Sequence, residues 1–545
     1  MLHLKVKGFT VYVDGPSEDV SRLYRYLHIK VANWFFATRA RPGWDGANDF
    51  MAANRTFSYG LLPHVKRWLV GQEIEYKVEH LEEPLPNITN KNFLKGVTLR
   101  EEQLWAINQW CKTGGRGIIV GPPGVGKTEI AAAAIKHLKG RRALFVVNSL
   151  DLLMQAKDRL RKRLGVKVGS LSGGERDLDN CDVLVATIQS LCSTLKSANK
   201  DLMTYYLMGI KFLIADETHH SRSSQTRFLI KHLPNARFRL GLSASPFHKY
   251  DREDLQSMTA EDVQVMHALG PVVAEISASD LFEQQNLARP RIYLVPFRSE
   301  DSKTWPDTRK KWLHENNQIL KNIKDSVVAA TNTGEMSLVV VGSSRRFGMR
   351  VYFALKDAGV DAVYLHGTVD KMRREFARQQ ANKGKVQAIV ATTVYDEGVD
   401  LPDLRQLILA YGGVSSIKLK QRVGRSLRKK SKGQNVSIVI DYVSFENKYL
   451  REHSVARLTQ YCKERSFEVY LVGGPEDFPR SVKSLLKDSL KFVPSAPTVE
   501  DFVELKGETN KDGSGVQKVS RAKAKRVSNQ LFLPGLADDS AGEGS

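Results

Sequence analysis

Gly117-Ile-Ile-Val-Gly-Pro-Pro-Gly-Val-Gly-Lys-Thr-Glu-Ile130 decides the fold of this chain. A short apolar run enters Gly121-x-x-x-x-Gly126-Lys127-Thr128, and a helical stretch, Glu129 to Leu138, follows at once. Strand, glycine-rich turn and helix N-terminus in that order cradle phosphates, because backbone N–H groups and the positive end of the helix dipole converge on one point. Gly121, Pro122, Pro123, Gly124, Val125 and Gly126 form the turn, and Glu129 opens the helix. Gly124 and Gly126 allow the backbone to curl around the phosphates. Lys127 meets the β- and γ-phosphates as a point charge, and the Thr128 hydroxyl is a ligand for Mg2+. The stretch predicts a parallel α/β domain that binds ATP.

About ninety residues downstream, Lys211-Phe-Leu-Ile-Ala-Asp-Glu-Thr-His219 ends an apolar strand on two carboxylates. In such a sheet these lie beside the phosphate loop. Asp216 is placed to hold Mg2+ and Glu217 to orient and deprotonate the attacking water. Further short β-prone runs, at Ala143 to Val147 and Val183 to Ala186, alternate with helical periods. A second such set spans 335 to 442: Leu338 to Val341, Ala362 to Leu365, Ala388 to Ala391, Leu407 to Leu409 and Val436 to Ile440. Two α/β domains in tandem are implied. The first ninety residues read as a small α+β domain, with Trp34, Phe57 and Tyr59 interleaved with Arg39 and Arg41. Glu82 to Asn90 has the composition of a linker. The expected organisation is 1–90 accessory domain, 91–295 first α/β domain, 296–335 helical connector, 336–472 second α/β domain, and 473–545 a largely disordered extension.

With 545 residues, a single small binding module is excluded. Lys and Arg number 82 against 60 Asp and Glu, a formal charge of +22, which points to a polyanionic partner. Four scattered cysteines suggest neither a disulfide framework nor a zinc site, and no apolar run is long enough to span a bilayer. A cytoplasmic protein is expected.

These motifs, with those that follow, resemble a superfamily 2 DNA helicase of the Asp-Glu-x-His class. Within it the chain resembles the phage recombination helicases of the UvsW type, with XPB and RadD proteins as wider relatives. The match covers about residues 97 to 465. It implies two RecA-like domains and places His219 in the tetrad. In Leu99-Arg-Glu-Glu-Gln103, Gln103 would read the adenine edge. Ser149 and Gln155, Thr187 and Gln189, Ser343 and Arg345, His366, and Thr392 would contact the DNA backbone. Ser243 and Ser245 of Gly241-Leu-Ser-Ala-Ser-Pro246 would couple hydrolysis to movement. Gly398 and Asp400 would approach the nucleotide. Arg425 and Arg428 of Gln421-Arg-Val-Gly-Arg-Ser-Leu-Arg428 would reach the γ-phosphate across the cleft, and Gln421 would belong to the same catalytic set. The first ninety residues would take the place of an accessory duplex-binding domain.

The function so implied is ATP-driven unwinding or branch migration of forked and recombination-intermediate DNA. A duplex translocase or RNA helicase with the same motor, and an ATP-gated nucleic-acid clamp, stay open. Part of the charge excess has a location: Leu404 to Ile440 holds nine Lys and Arg and no acid. Arg425 and Arg428 go to the nucleotide, and the rest is available to DNA. Gln530-Leu-Phe-Leu533 is a candidate docking peptide for a replication or recombination protein.

Overall fold

The computed structural model describes residues 1–31, 44–81, 83–218, 224–247, 250–392, 401, 403–410, 412–413, 419, 422–424, 426–463, 467–478 and 490–506. Its frame is two eight-stranded sheets with helices packed on them, the doubly covered arrangement that continuous apolar strands require. In the first sheet the strands run Glu175–Asp177, Val168–Ser172, Val183–Thr187, Ala143–Val147, Phe212–Asp216, Phe238–Ser243, Arg116–Val120 and Val272–Glu275. All these pairings are parallel except the hairpin of the first two. The second sheet is parallel throughout its described pairs. Its order is Ala362–Leu365, Ala388–Ala391, Met336–Val340, Leu404–Leu409, Val436–Val443, Arg289–Pro296, Glu468–Val472 and Leu490–Val493. These are the two RecA-like domains implied above.

The expected boundaries shift in three places. Arg289–Pro296, assigned by sequence to the first domain, pairs with Val436–Val443 and Glu468–Val472 and so belongs to the second sheet. The stretch 296–335 is no free connector. Its helix Asn317–Asn332 buries Ile319, Ile323, Val327 and Ala330, a single helical stripe, in the second core. The extension beginning at 473 contributes the strand Leu490–Val493 and the helix Val499–Lys506, whose Phe502 and Leu505 are fully buried. Residues 507–545, with Gln530 to Leu533, lie outside the described residues.

At the N-terminus a five-stranded sheet, Met51–Ala52, Thr56–Ser58, Thr10–Asp14, Leu2–Lys7 and Tyr76–His80, packs with the helices Ser17–Tyr26 and Leu62–Gly71. Phe57 and Tyr59 belong to its core, while Trp34, Arg39 and Arg41 lie outside the described residues. This domain shares one core with Leu255, Met258, Ala260, Val263 and Met266 of the first motor domain. The Arg239 guanidinium, fully buried, lies 3.9 Å from the centre of the Phe9 ring, and Arg116 lies 4.1 Å from that of Tyr59. The supposed linker is a strap. Leu85 N–H donates to Cys111 C=O, and Ile88 exchanges two hydrogen bonds with the Asn108 amide.

Candidate nucleotide and nucleic-acid sites

The strand Arg116–Val120 delivers the chain to Gly121, and the helix Lys127–His137 takes it away from Gly126. Gly124 and Gly126 hold φ of +87° and +82°, a backbone that L side chains adopt only under strain. The helix behind is buried from Ile130 to Ile135, so its N-terminus is fixed against the core. Braces hold the loop from both sides. Gly121 N–H donates to Ser243 C=O at 2.9 Å. Gln103 Nε2 donates to Val125 C=O at 2.8 Å, and Gln103 Oε1 accepts Arg100 N–H at 2.9 Å. Gln103, read above as an adenine contact, is thus a buried strut of the phosphate loop. Glu129 lies between the loop and the next helix, its carboxylate beside Gly126 and 3.8 Å from Arg159 and 3.7 Å from Arg163 on the helix Leu150–Leu164.

Asp216 ends the strand Phe212–Asp216, and its Oδ1 accepts Glu217 N–H at 3.0 Å. Glu217 holds φ of +51°, and its Oε1 lies 3.6 Å from Lys127 Nζ. The structure therefore brings together the lysine of one motif and the acid pair of the other. Ser243 is fully buried, and its Oγ accepts Ser245 N–H. His219, Gly398, Asp400, Gln421 and Arg425 lie outside the described residues.

From the second domain, Gly424 is pressed onto the phosphate loop: a Cβ there would fall 2.3 Å from Pro123 Cγ. Beside that contact a cavity of about 470 Å3 is lined by Pro122, Pro123, Leu419, Val423 and Leu427. The site is thus walled by both domains. Arg428 forms a β-bridge with Leu287, next to Gly124. The basic run around it is less available to nucleic acid than its composition implies. Arg405 is buried against Glu335 and the carbonyls of Lys432, Gln434 and Val436. Arg422 is also buried, and Lys430 donates to Leu404 and Ser426 C=O with its pKa pushed down to about 7 by burial.

Apart from Gln155, which lies within the helix Leu150–Leu164, the residues read as DNA contacts end strands or stand just beyond them, at the carboxyl edge of the first sheet, which also carries the phosphate loop and Asp216, or at the corresponding edge of the second. Ser149 and Thr187 use their hydroxyls as helix N-caps, accepting Leu152 and Ser190 N–H, and Thr187 is buried. These two strand ends therefore also offer a phosphate the N–H groups of a helix N-terminus. Ser343 Oγ accepts a hydrogen bond from Arg309, and Arg345 and Gln189 are exposed. Gln155 is half-buried and Thr392 buried. His366 Nδ1 lies 2.9 Å from Thr368 Oγ1, with its pKa lowered by burial and by Arg345. Sequence reading missed Arg100, whose guanidinium docks on Val125 C=O. The signal was present, since Arg100 stands within the quoted Leu99-to-Gln103 motif.

Residues 96–248 match the family described as type III restriction enzyme, res subunit, and residues 315–430 match the helicase conserved C-terminal domain. The chain belongs to the superfamily 2 helicases and is an ATP-hydrolysing enzyme of that class. It is 28% identical over 408 residues to the DNA 3'-5' translocase XPB2 of Sulfurisphaera tokodaii, covering 68% of this chain and 86% of that protein. To the ATP-dependent DNA helicase uvsW of Enterobacteria phage T4 it is 22% identical over 498 residues, 84% of this chain and 96% of that one. A solved structure of S. cerevisiae Dbp5 bound to RNA and ADP BeF3 shares the fold, with a TM-score of 0.51 at 14% identity over 78% of this chain and 97% of that one. No described helix is long and apolar enough to cross a membrane.

Proposed function

We propose that the chain is an ATP-driven DNA helicase that unwinds or branch-migrates forked and recombination-intermediate DNA. The observation that carries this reading is the extent of its likeness to the phage T4 DNA helicase, which runs along 84% of this chain and so beyond the two motor domains.

Lys127 and the loop N–H groups hold the β- and γ-phosphates. Thr128 and Asp216, both hard oxygen donors, fit Mg2+, which when bound neutralises phosphate charge. Glu217 takes the proton of the attacking water, and a γ-phosphate arriving at Lys127 competes for the ammonium now 3.6 Å from its carboxylate. His219 and Ser245 pass the state of the γ-phosphate to the nucleic-acid side, and Gln421, Arg425 and Arg428 answer from the second domain. Gly398 and Asp400 approach the nucleotide from the same side. DNA lies along the carboxyl edges, held at helix N-termini near Ser149, Thr187 and Ser343 and by Gln155, Gln189, Arg345, His366 and Thr392, without reading bases. The N-terminal domain, docked on the first motor domain, meets duplex DNA ahead of the motor.

The test is ATP turnover and strand separation on forks, Holliday junctions, D-loops and RNA duplexes of equal length. Turnover stimulated by DNA and separation of branched DNA are expected. A rate indifferent to DNA, or preference for RNA, defeats the proposal. The relative named as a translocase favours a second reading, movement along duplex without separation. Displacement of a triplex strand with intact duplex would select it.

A further inference from the structure

The chain passes from the first sheet to the second between the helix Ala278–Glu283 and the strand Arg289–Pro296. This crossing is tightly held. Gln285 takes a left-handed φ of +55°, and Asn286 and Leu287 both donate their N–H to Leu281 C=O. Leu287 is buried and touches both halves of the nucleotide site. Its Cδ2 packs where a Cβ on Gly124 would lie, 2.7 Å away, and its backbone bridges Arg428. Ala288 N–H donates to Leu427 C=O at 2.7 Å. Whatever fixes Leu287 therefore fixes the end of the arginine-bearing segment relative to the phosphate loop.

One side chain does so. Asn435 Nδ2 donates to Gln285 C=O at 3.0 Å and to Leu287 C=O at 2.9 Å, while its Oδ1 accepts Lys430 N–H at 3.0 Å. Its own C=O accepts Arg289 N–H at 2.8 Å. A carboxamide is the one short side chain with two donor hydrogens and an acceptor, and this site uses all three. Behind it, Gln434 N–H donates to Leu505 C=O, so the C-terminal helix backs the same turn.

We propose that Asn435 is a positioning residue for ATP hydrolysis, clipping the interdomain crossing to the segment that follows Arg428 so that the second domain closes on the phosphate loop in one register. The inference rests on ATP being hydrolysed between that loop and the arginine segment. Asn435→Asp separates the two halves of the clip. It keeps an acceptor for Lys430 N–H but sets a carboxylate oxygen against two carbonyls. Asn435→Ser keeps one donor.

The experiment measures steady-state ATP turnover with and without forked DNA in the full chain. For both Asn435→Asp and Asn435→Ala, DNA-stimulated kcat is expected to fall about tenfold, with the KM for ATP unchanged within about twofold. Asn435→Ser should fall between these and the parent. Thermal unfolding guards against simple misfolding, and Tm should drop by no more than about 4 °C. Parental kcat in Asn435→Asp overturns the inference, as does a rise in KM at unchanged kcat. A parent chain whose turnover ignores DNA overturns the helicase reading instead.

Discussion

Glu217 holds a left-handed backbone that a residue with a Cβ adopts only when its surroundings impose it. The imposing contacts are its own N–H on Asp216 and its carboxylate beside Lys127. Glu217→Gln keeps shape and removes the base, so DNA-stimulated kcat should fall by about 10²–10⁴ while DNA affinity, followed by gel shift, stays within about twofold. Parental turnover in that variant would remove Glu217 from the reaction. The strand-end acid pair was legible because an apolar run followed by two carboxylates is a local pattern. The bond from Gln103 to Val125 was not, because the partners stand 22 residues apart and no local pattern encodes it. Charge counting failed similarly at Arg405, Arg422 and Lys430. They look like a DNA-facing run, but Arg405 and Lys430 are consumed by backbone carbonyls and all three are buried.

Among the elements, β-branched runs with parallel partners were easily read, and Ala143–Val147, Ala362–Leu365 and Ala388–Ala391 fall where expected. Arg289–Pro296 escaped because it contains Pro290 and ends on Pro296, residues that argue against an inner strand, and only its tertiary pairing overrides them. The late strand and helix escaped because their polar surroundings read as tail. Phe502 and Leu505 nonetheless fill the second core. Ending the chain after residue 489 should therefore cost several kcal/mol, at about 1.5–3 kcal/mol for each buried side chain, whereas ending it after 506 should leave the urea midpoint unchanged. Equal midpoints would show that the helix adds nothing. Docking of the N-terminal domain has a similarly sharp test. A Cβ on Gly60 would lie 1.8 Å from Met266 O, a backbone atom that cannot move without the helix Ala260–Leu269. Gly60→Ala should lift the domain, destabilise the chain by about 1–3 kcal/mol and expose the strap around Leu85 to protease. An unchanged digestion pattern would mean that the contact is not needed for docking.

Across the whole molecule, one apolar cluster runs through both motor domains, joining Leu153 and Ala156 to Ala377 and Ala381, with Arg374 3.4 Å from Asp151 over the seam. The +22 charge that first suggested a polyanion says little about this assembly, because folding hides cations as well as apolar groups. Arg239 is one of them. Burial lowers its pKa only to about 9, so it remains a cation at neutral pH and lowers the pKa of its neighbour His267. His267 sits largely buried at the seam with the N-terminal domain, its ring 5.5 Å from that of Phe50, and its pKa is pushed down to about 4, first by burial and then by Arg239 and Arg227. Burial, with Arg309 nearby, lowers His314 of the second domain to about 4 as well. Above pH 6.5 both imidazoles are neutral folded or unfolded, and they cost nothing. As the pH falls through 6.5 the unfolded chain binds protons that the folded chain refuses until about 4, so stability declines across that window and levels off below it. At about 1.4 kcal/mol per unit, His267 accounts for at most about 3.5 kcal/mol of that decline, and the less buried His314 for less. Urea unfolding at a series of pH values between 7.5 and 4 should show the slope, and His267→Gln should flatten it. An undiminished slope in that variant would mean that the protons enter elsewhere.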